Sequence, residues 1–277
     1  MRFRRRGAEL SALELEAFSA NLFDSRPRPE SVRRRQEREG EMLRSMKELF
    51  GYSVAAIDGS LGKLEDFLFD ERSHDLRYLV ADTGGWFDRR HLLVAPVAFG
   101  RTRWPARDFP VGVSRAQAAA SPVMVADAPL SRQHEVALHS FFEWMPYWLS
   151  HSNGVPTAHV VAPGAAGAEA PALCRAGRLI GYQVQASDSE IGHVVDFLID
   201  DERWMVRDLV VDTESFGEPR TVMVSMAVFL GIDAAAEKVR VSLTARLVRE
   251  CPVFDPQAIA GSRSEVVFHD YLGRPRP

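Results

Sequence analysis

The sequence predicts a mainly β protein: two tandem small antiparallel β-barrels, each followed by two short helices, behind a charged N-terminal arm. Three observations carry that expectation. Residues 51–99 recur as residues 181–229 without a gap, with 18 of 49 positions identical. Both copies show apolar–polar alternation in the same parity, as half-buried antiparallel strands do. The length of 277 residues suits two units, and an apolar fraction of 46% with 26% charged residues suits a globular chain.

Taken in order, residues 1–42 hold one helix candidate, residues 8–22, broken by Arg26-Pro27-Arg28-Pro29. The run that follows, SVRRRQEREGE, has almost nothing to bury and reads as a solvated helix or arm. Residues 43–150 form the first copy, 151–172 an Ala/Gly/Pro-rich linker and 173–277 the second copy. Each copy opens with a short lead-in. A strand follows that sets Tyr52, Val54 and Ala56, or Tyr182, Val184 and Ala186, on one face. Asp58-Gly59 is a turn signal, and Gly62/Gly192 recurs where a backbone without a Cβ is useful. Residues 64–69 and 76–81, with their counterparts, are nearly continuous apolar strands whose faces the pattern leaves open. Leu92, Val94 and Pro96 match Val222, Val224 and Met226; Phe109, Val111 and Val113 match Val239, Val241 and Leu243. Ser114-x-x-Gln117 is a capping box opening a helix that Pro122 stops, and Thr244 opens its equivalent before Pro252. A second helix is expected at residues 130–142, with a weaker counterpart at 263–272.

A unit of about 65 residues buries only ~60% of its unfolded surface. The helices are therefore expected to pack on the barrels, and the copies on each other.

Composition narrows the functional classes. A net charge of −4 argues against a dedicated nucleic-acid binder. Cys174 and Cys251 occupy unrelated repeat positions, which suggests reduced thiols rather than a disulfide. No apolar run approaches the ~20 residues of a membrane span, and the N-terminus lacks a signal-peptide core, so a cytoplasmic location is expected.

Certain residues carry a family resemblance: Gly51-Tyr52, Asp58-Gly59, Leu61-Gly62-Lys63-Leu64, Asp66-Phe67-Leu68-Phe69-Asp70 and Arg77-Tyr78-Leu79-Val80-Ala81-Asp82-Thr83. So do Gly181-Tyr182, Ile191-Gly192-His193-Val194, Asp196-Phe197-Leu198-Ile199-Asp200 and Arg207-x-Leu209-Val210-Val211-Asp212-Thr213, and Asp188 repeats Asp58. These resemble the PRC-barrel family, the barrel shared by the photosynthetic reaction-centre H subunit and a ribosome-maturation factor. The resemblance implies a non-catalytic interaction or assembly module with no cofactor. The H subunit's membrane helix and the maturation factor's other domain have no counterpart, which weakens a photosynthetic or a ribosomal role.

The chemistry-bearing residues agree with a binding role. Asp66, Asp70, Asp82 and Asp196, Asp200, Asp212 occur twice beside different neighbours, which suggests turn and backbone contacts rather than acid–base work. His134-Glu135-x-x-x-His139 spaces its histidines five apart, ~140° around a helix, where a zinc helix needs four. Glu135/Glu265 and His139/His269 are expected to contact the barrels instead. No phosphate loop, dinucleotide fingerprint or nucleophile elbow is present. Two aromatic groups are candidate interfaces: Trp86, Phe87, Arg89 and Arg90, and Phe142, Trp144, Tyr147 and Trp148, the latter alternatively packing on the barrel. No polar constellation is expected to be peculiar to one copy.

The function expected is non-enzymatic protein–protein contact with an unnamed partner, homodimerisation being left open. The alternatives are small-ligand or metal binding, or hydrolysis, in a cleft between copies, which needs polar residues from both. A further alternative is ribosome or RNA association through the arginine-rich arm.

Overall fold

The computed structural model describes residues 43–84, 91–103, 106–122, 130–149, 173–213 and 219–256. The helix expected at 8–22, the linker and the helix expected at 263–272 lie outside the described residues.

The first copy contains β1 (Leu43–Ser45), α1 (Met46–Leu49), β2 (Ser53–Ala56), β3 (Gly59–Asp70), β4 (Leu76–Asp82), β5 (His91–Val94) and β6 (Asp108–Pro110), then α2 (Arg115–Ala120) and α3 (Arg132–Phe142). The second contains β7 (Leu173–Arg175), α4 (Ala176–Leu179), β8 (Gln183–Gln185), β9 (Glu190–Asp200), β10 (Met205–Asp212), β11 (Thr221–Ser225), β12 (Phe229–Asp233), β13 (Lys238–Val241) and α5 (Ala245–Arg249). The capping signals act as their chemistry dictates. Ser114 and Gln117 form a reciprocal capping box on α2, and Thr244 Oγ1 accepts from Leu247 N on α5.

The sheets run β5-β4-β3-β2-β6 and β11-β10-β9-β8-β13-β12. One feature departs from an all-antiparallel pattern: β6 pairs parallel with β2, and β13 with β8. The chain leaves β11 through the 3-10 turn Met226–Val228 and enters β12 without a hairpin reversal, so the last strand meets the first in the same direction. Past the turn at Asp58, β3 begins at Gly59 and continues through a bulge. Gly62 and Gly192 sit on these long strands at φ +135° and +139°, where a Cβ would strike the carbonyl oxygens of Asp82 and Asp212.

The lead-ins are exchanged. β1 adds to β9 of the second copy, with Leu43 opposite Asp200 and Ser45 opposite Leu198. β7 adds to β3 of the first copy, with Leu173 opposite Asp70 and Arg175 opposite Leu68. The registers are equivalent, so the copies are related by an internal two-fold exchange. The turns that end the long strands also meet: Leu76 N donates to Trp204 O and Val206 N to His74 O, each at 2.8 Å.

One hydrophobic core therefore runs through both copies, from Phe67, Phe69 and Phe109 to Phe197, Val211 and Val241. Phe69 and Phe197 meet in it at 5.7 Å between ring centres. The near-continuous apolar strands are explained by burial on both faces. Leu79 and Leu209 face this core, while Leu68, Val80 and Leu93 face α3, and Leu198, Val210 and Met223 face Leu43 and Phe254.

Candidate functional site

The repeated aspartates are placed by backbone. Asp66 Oδ1 accepts from Phe67 N and Gly177 N, each at 2.8 Å, and its Oδ2 from Arg175 Nε at 3.2 Å. Asp196 is the mirror case, accepting from Phe197 N, Lys47 N and Ser45 Oγ. Each ties the other copy's lead-in. Burial pushes both carboxyls above their usual range, against the pull of these donors. Asp70 and Asp200 close the turns after β3 and β9 by accepting from the backbone two and three residues on. Asp58 and Asp188 accept from Arg115 N and Ala245 N at the starts of α2 and α5, each at 2.8 Å. Asp82 Oδ1 accepts from Gly84 N, Asp212 pairs opposite Thr221, and Gly51 and Gly181 take positive φ just after the short helices α1 and α4.

A different constellation forms on the outer face of the first sheet. Ser131 caps α3, and the helix ends at Glu143 in the left-handed region, φ 57°. Its buried stripe is Glu135, Leu138 and His139, spaced three and four apart. Beneath it stands Tyr78, fully buried in β4. Glu135 Oε1 accepts from Tyr78 OH at 3.0 Å and from Tyr147 OH at 2.7 Å, and its Oε2 pairs with Arg132 Nη1 at 2.8 Å. His139 Nε2 lies 2.9 Å from Tyr78 OH. Burial pushes both tyrosine hydroxyls up, the Glu135 charge adding to it, raises the Glu135 carboxyl and lowers the His139 imidazole.

The aromatic segment after α3 closes round this knot. Phe142 and Trp144 stack at 4.3 Å, and Tyr147 and Trp148 present their edges to His139. Arg77 lies over Tyr147 at 4.0 Å and Arg132 over Trp148 at 4.4 Å. Of the candidate interface residues, Phe142, Trp144, Tyr147 and Trp148 are thus brought together against the barrel; Trp86, Phe87, Arg89 and Arg90 lie outside the described residues.

This knot corrects the expectation that no polar constellation is peculiar to one copy. Tyr78, Arg132 and Tyr147 correspond to Asp208, Ser262 and Pro277 in the repeat register. The available signal was a tyrosine beside Arg77 inside a largely apolar strand, together with Glu135 and His139 four apart on a helix. Asp208, in the place of Tyr78, is buried beside Arg207, and burial pushes its carboxyl up to about 7.

Beside the knot, at the joint between copies, opens a cleft of about 330 Å³. Asp75, Arg77, His139 and Tyr147 come from the first copy, and Arg203 and Trp204 from the second. Val97 and Met145, 69% and 73% exposed, stand on its rim. The charges are largely matched internally. Arg77 Nη2 reaches Asp70 at 3.3 Å and Asp75 at 3.1 Å, and Arg203 lies 4.0 Å from Asp200. Among the described residues no group of three or more His, Cys, Asp or Glu is arranged to hold a metal ion. No helix among them is long and apolar enough to cross a membrane.

A comparison with protein families matches the PRC-barrel domain at residues 43–102 and again at residues 174–248. Among curated proteins none matches the chain. Two duplicated sheets with exchanged lead-ins and a family match on each copy lead to one statement: the chain belongs to the PRC-barrel family and carries two such domains in tandem.

Proposed function

We propose that the chain is a non-enzymatic interaction module that holds a protein partner at the cleft between its two barrels. The observation that carries this reading is the cleft itself, built by both copies, walled by Trp204 and Tyr147 and rimmed by the exposed Val97 and Met145. Aromatic walls beside arginines, with apolar side chains left in water, are what interface anchors look like before the partner arrives. The polar groups behind the cleft spend their hydrogen bonds on each other. Tyrosines whose hydroxyls burial pushes up make poor nucleophiles or bases at neutral pH.

Photo-crosslinking residues at Val97 and at Met145 test the reading, with Ile57, 73% exposed and outside the cleft, as the control. The same partner is expected from both cleft positions, and its capture is expected to fall with Trp204→Ala. Equal capture from Ile57 would defeat it. The convergence of Asp75, Arg77 and His139 with Arg203 also favours a second reading, a small ligand in the same cleft. That reading requires a thermal-shift hit that Met145→Trp abolishes.

A further inference from the structure

We propose that α3 and the aromatic segment behind it form an acid-releasable cover over the outer face of the first sheet. The helix is docked in an unusual way. Of the three residues it buries, two ionise, and only Leu138 is apolar. The surface underneath is apolar: Leu68, Val80, Leu93 and the Tyr78 ring. Leu138, Phe142 and Trp144 pack on that surface, and hydrogen bonds among ionisable groups complete the docking.

Proton counting shows what those bonds require. Tyr78 has one hydroxyl proton and gives it to Glu135 Oε1. His139 must then donate Nε2–H to the Tyr78 oxygen, which leaves Nδ1 as the lone-pair nitrogen. Nδ1 is buried without a hydrogen-bond partner. A second proton there would put a charge into a site that burial and Arg132 already make hostile to it, although the backbone of Trp144 and Met145 pulls the other way. The groups around the ring sharpen the point. Arg77 and Tyr78 face it from β4, Arg132 and Glu135 from α3, Tyr147 from the following segment, and Asp75 and Arg203 across the cleft. Three are arginines, and Glu135 is already occupied by two tyrosines and Arg132.

The imidazole is harder to protonate in the closed form than in the released one. Docking is therefore full above the ordinary histidine value of about 6.5 and weakens as pH falls below it, by up to about tenfold per pH unit until the closed form protonates too. Glu135 opposes this nearer the carboxylate range, because burial lets the closed form take up its proton first. Lifting the cover removes His139, Met145 and Tyr147 from the cleft, so acid would also release a partner held there. That consequence rests on the reading of the cleft as a partner site; the opening does not.

Hydrogen exchange of the full chain between pH 5 and 8, corrected for intrinsic rates, tests the cover. The opening constant of residues 132–142 is expected to rise, by up to about fivefold, from pH 6.5 to 5.5 while residues 76–82 stay protected. His139→Gln is expected to flatten that slope, and Glu135→Gln to keep it. An unchanged slope in H139Q overturns the proposal, as does loss of protection in β4 together with α3, or a flat wild-type profile. Protection of β4 reports whether each variant folds, and His139→Asn repeats the comparison if H139Q does not. If α3 opens with acid while crosslinking at Val97 is unaffected, the cover stands and the partner-cleft reading falls.

Discussion

Asp66→Ala is the perturbation that probes the exchange of lead-ins most directly. Asp66 is buried and accepts three hydrogen bonds, two of them from Gly177 N and Arg175 Nε of the other copy. Alanine leaves the buried amide of Phe67 and the half-buried amide of Gly177 without their acceptor, at about 1–3 kcal/mol each, the lower end applying to Gly177. Arg175 loses less, since it keeps Glu65 at 3.1 Å. Removing a carboxylate that burial already disfavours offsets part of the loss. The net expectation is a destabilisation of about 3 kcal/mol in urea unfolding of the full chain. The location of the effect is more telling than its size. In hydrogen exchange D66A should loosen β7, more than 100 positions away in sequence, and Asp196→Ala should loosen β1. A loss below about 1 kcal/mol, or loosening confined to the lead-in of the mutated copy, would refute the reasoning.

Three further outcomes follow from the same geometry. Gly62→Ala places a Cβ against the Asp82 carbonyl at a positive φ and is expected to cost upward of about 3 kcal/mol in urea unfolding, with Gly192→Ala matching it through Asp212. Residues 43–149 and 173–277 produced separately should each lack a cooperative transition, because each lacks one edge strand and half of a shared core; mixing should give a 1:1 complex by light scattering. Asp208 has its folded value raised to about 7, so its contribution to stability is present below about pH 4 and is lost as pH rises through 7. Asp208→Asn should therefore stabilise the protein at pH 8 by up to about 4 kcal/mol and hardly at all at pH 4, as thermal unfolding at the two pH values would show.

Local chemistry was legible wherever a residue acts on its own neighbourhood. The capping box at Ser114 and the alternation of Phe109, Val111 and Val113 depend on contacts within a few residues or on a repeated parity, and the glycines at 62 and 192 were marked by recurring in both copies, although the carbonyls that demand them lie on the next strand. The faces of residues 64–69 were not legible, because a strand buried on both sides carries no alternation to read. The knot at Tyr78 was hidden for a related reason: its members lie 57 and 61 positions apart, and only packing brings a strand tyrosine under a helix.

By itself the amino-acid order determined that one β-rich module was duplicated, where its turns and helix starts fall, and to which family both modules belong. These are matters of self-similarity and short-range hydrogen bonding. The tertiary structure alone decided that each module is completed by the other's first strand, and that a cleft opens where they join. A strand edge takes any backbone of suitable register, so its unpaired amides and carbonyls do not name their partner in the one-dimensional code. That choice is made when the shared core closes.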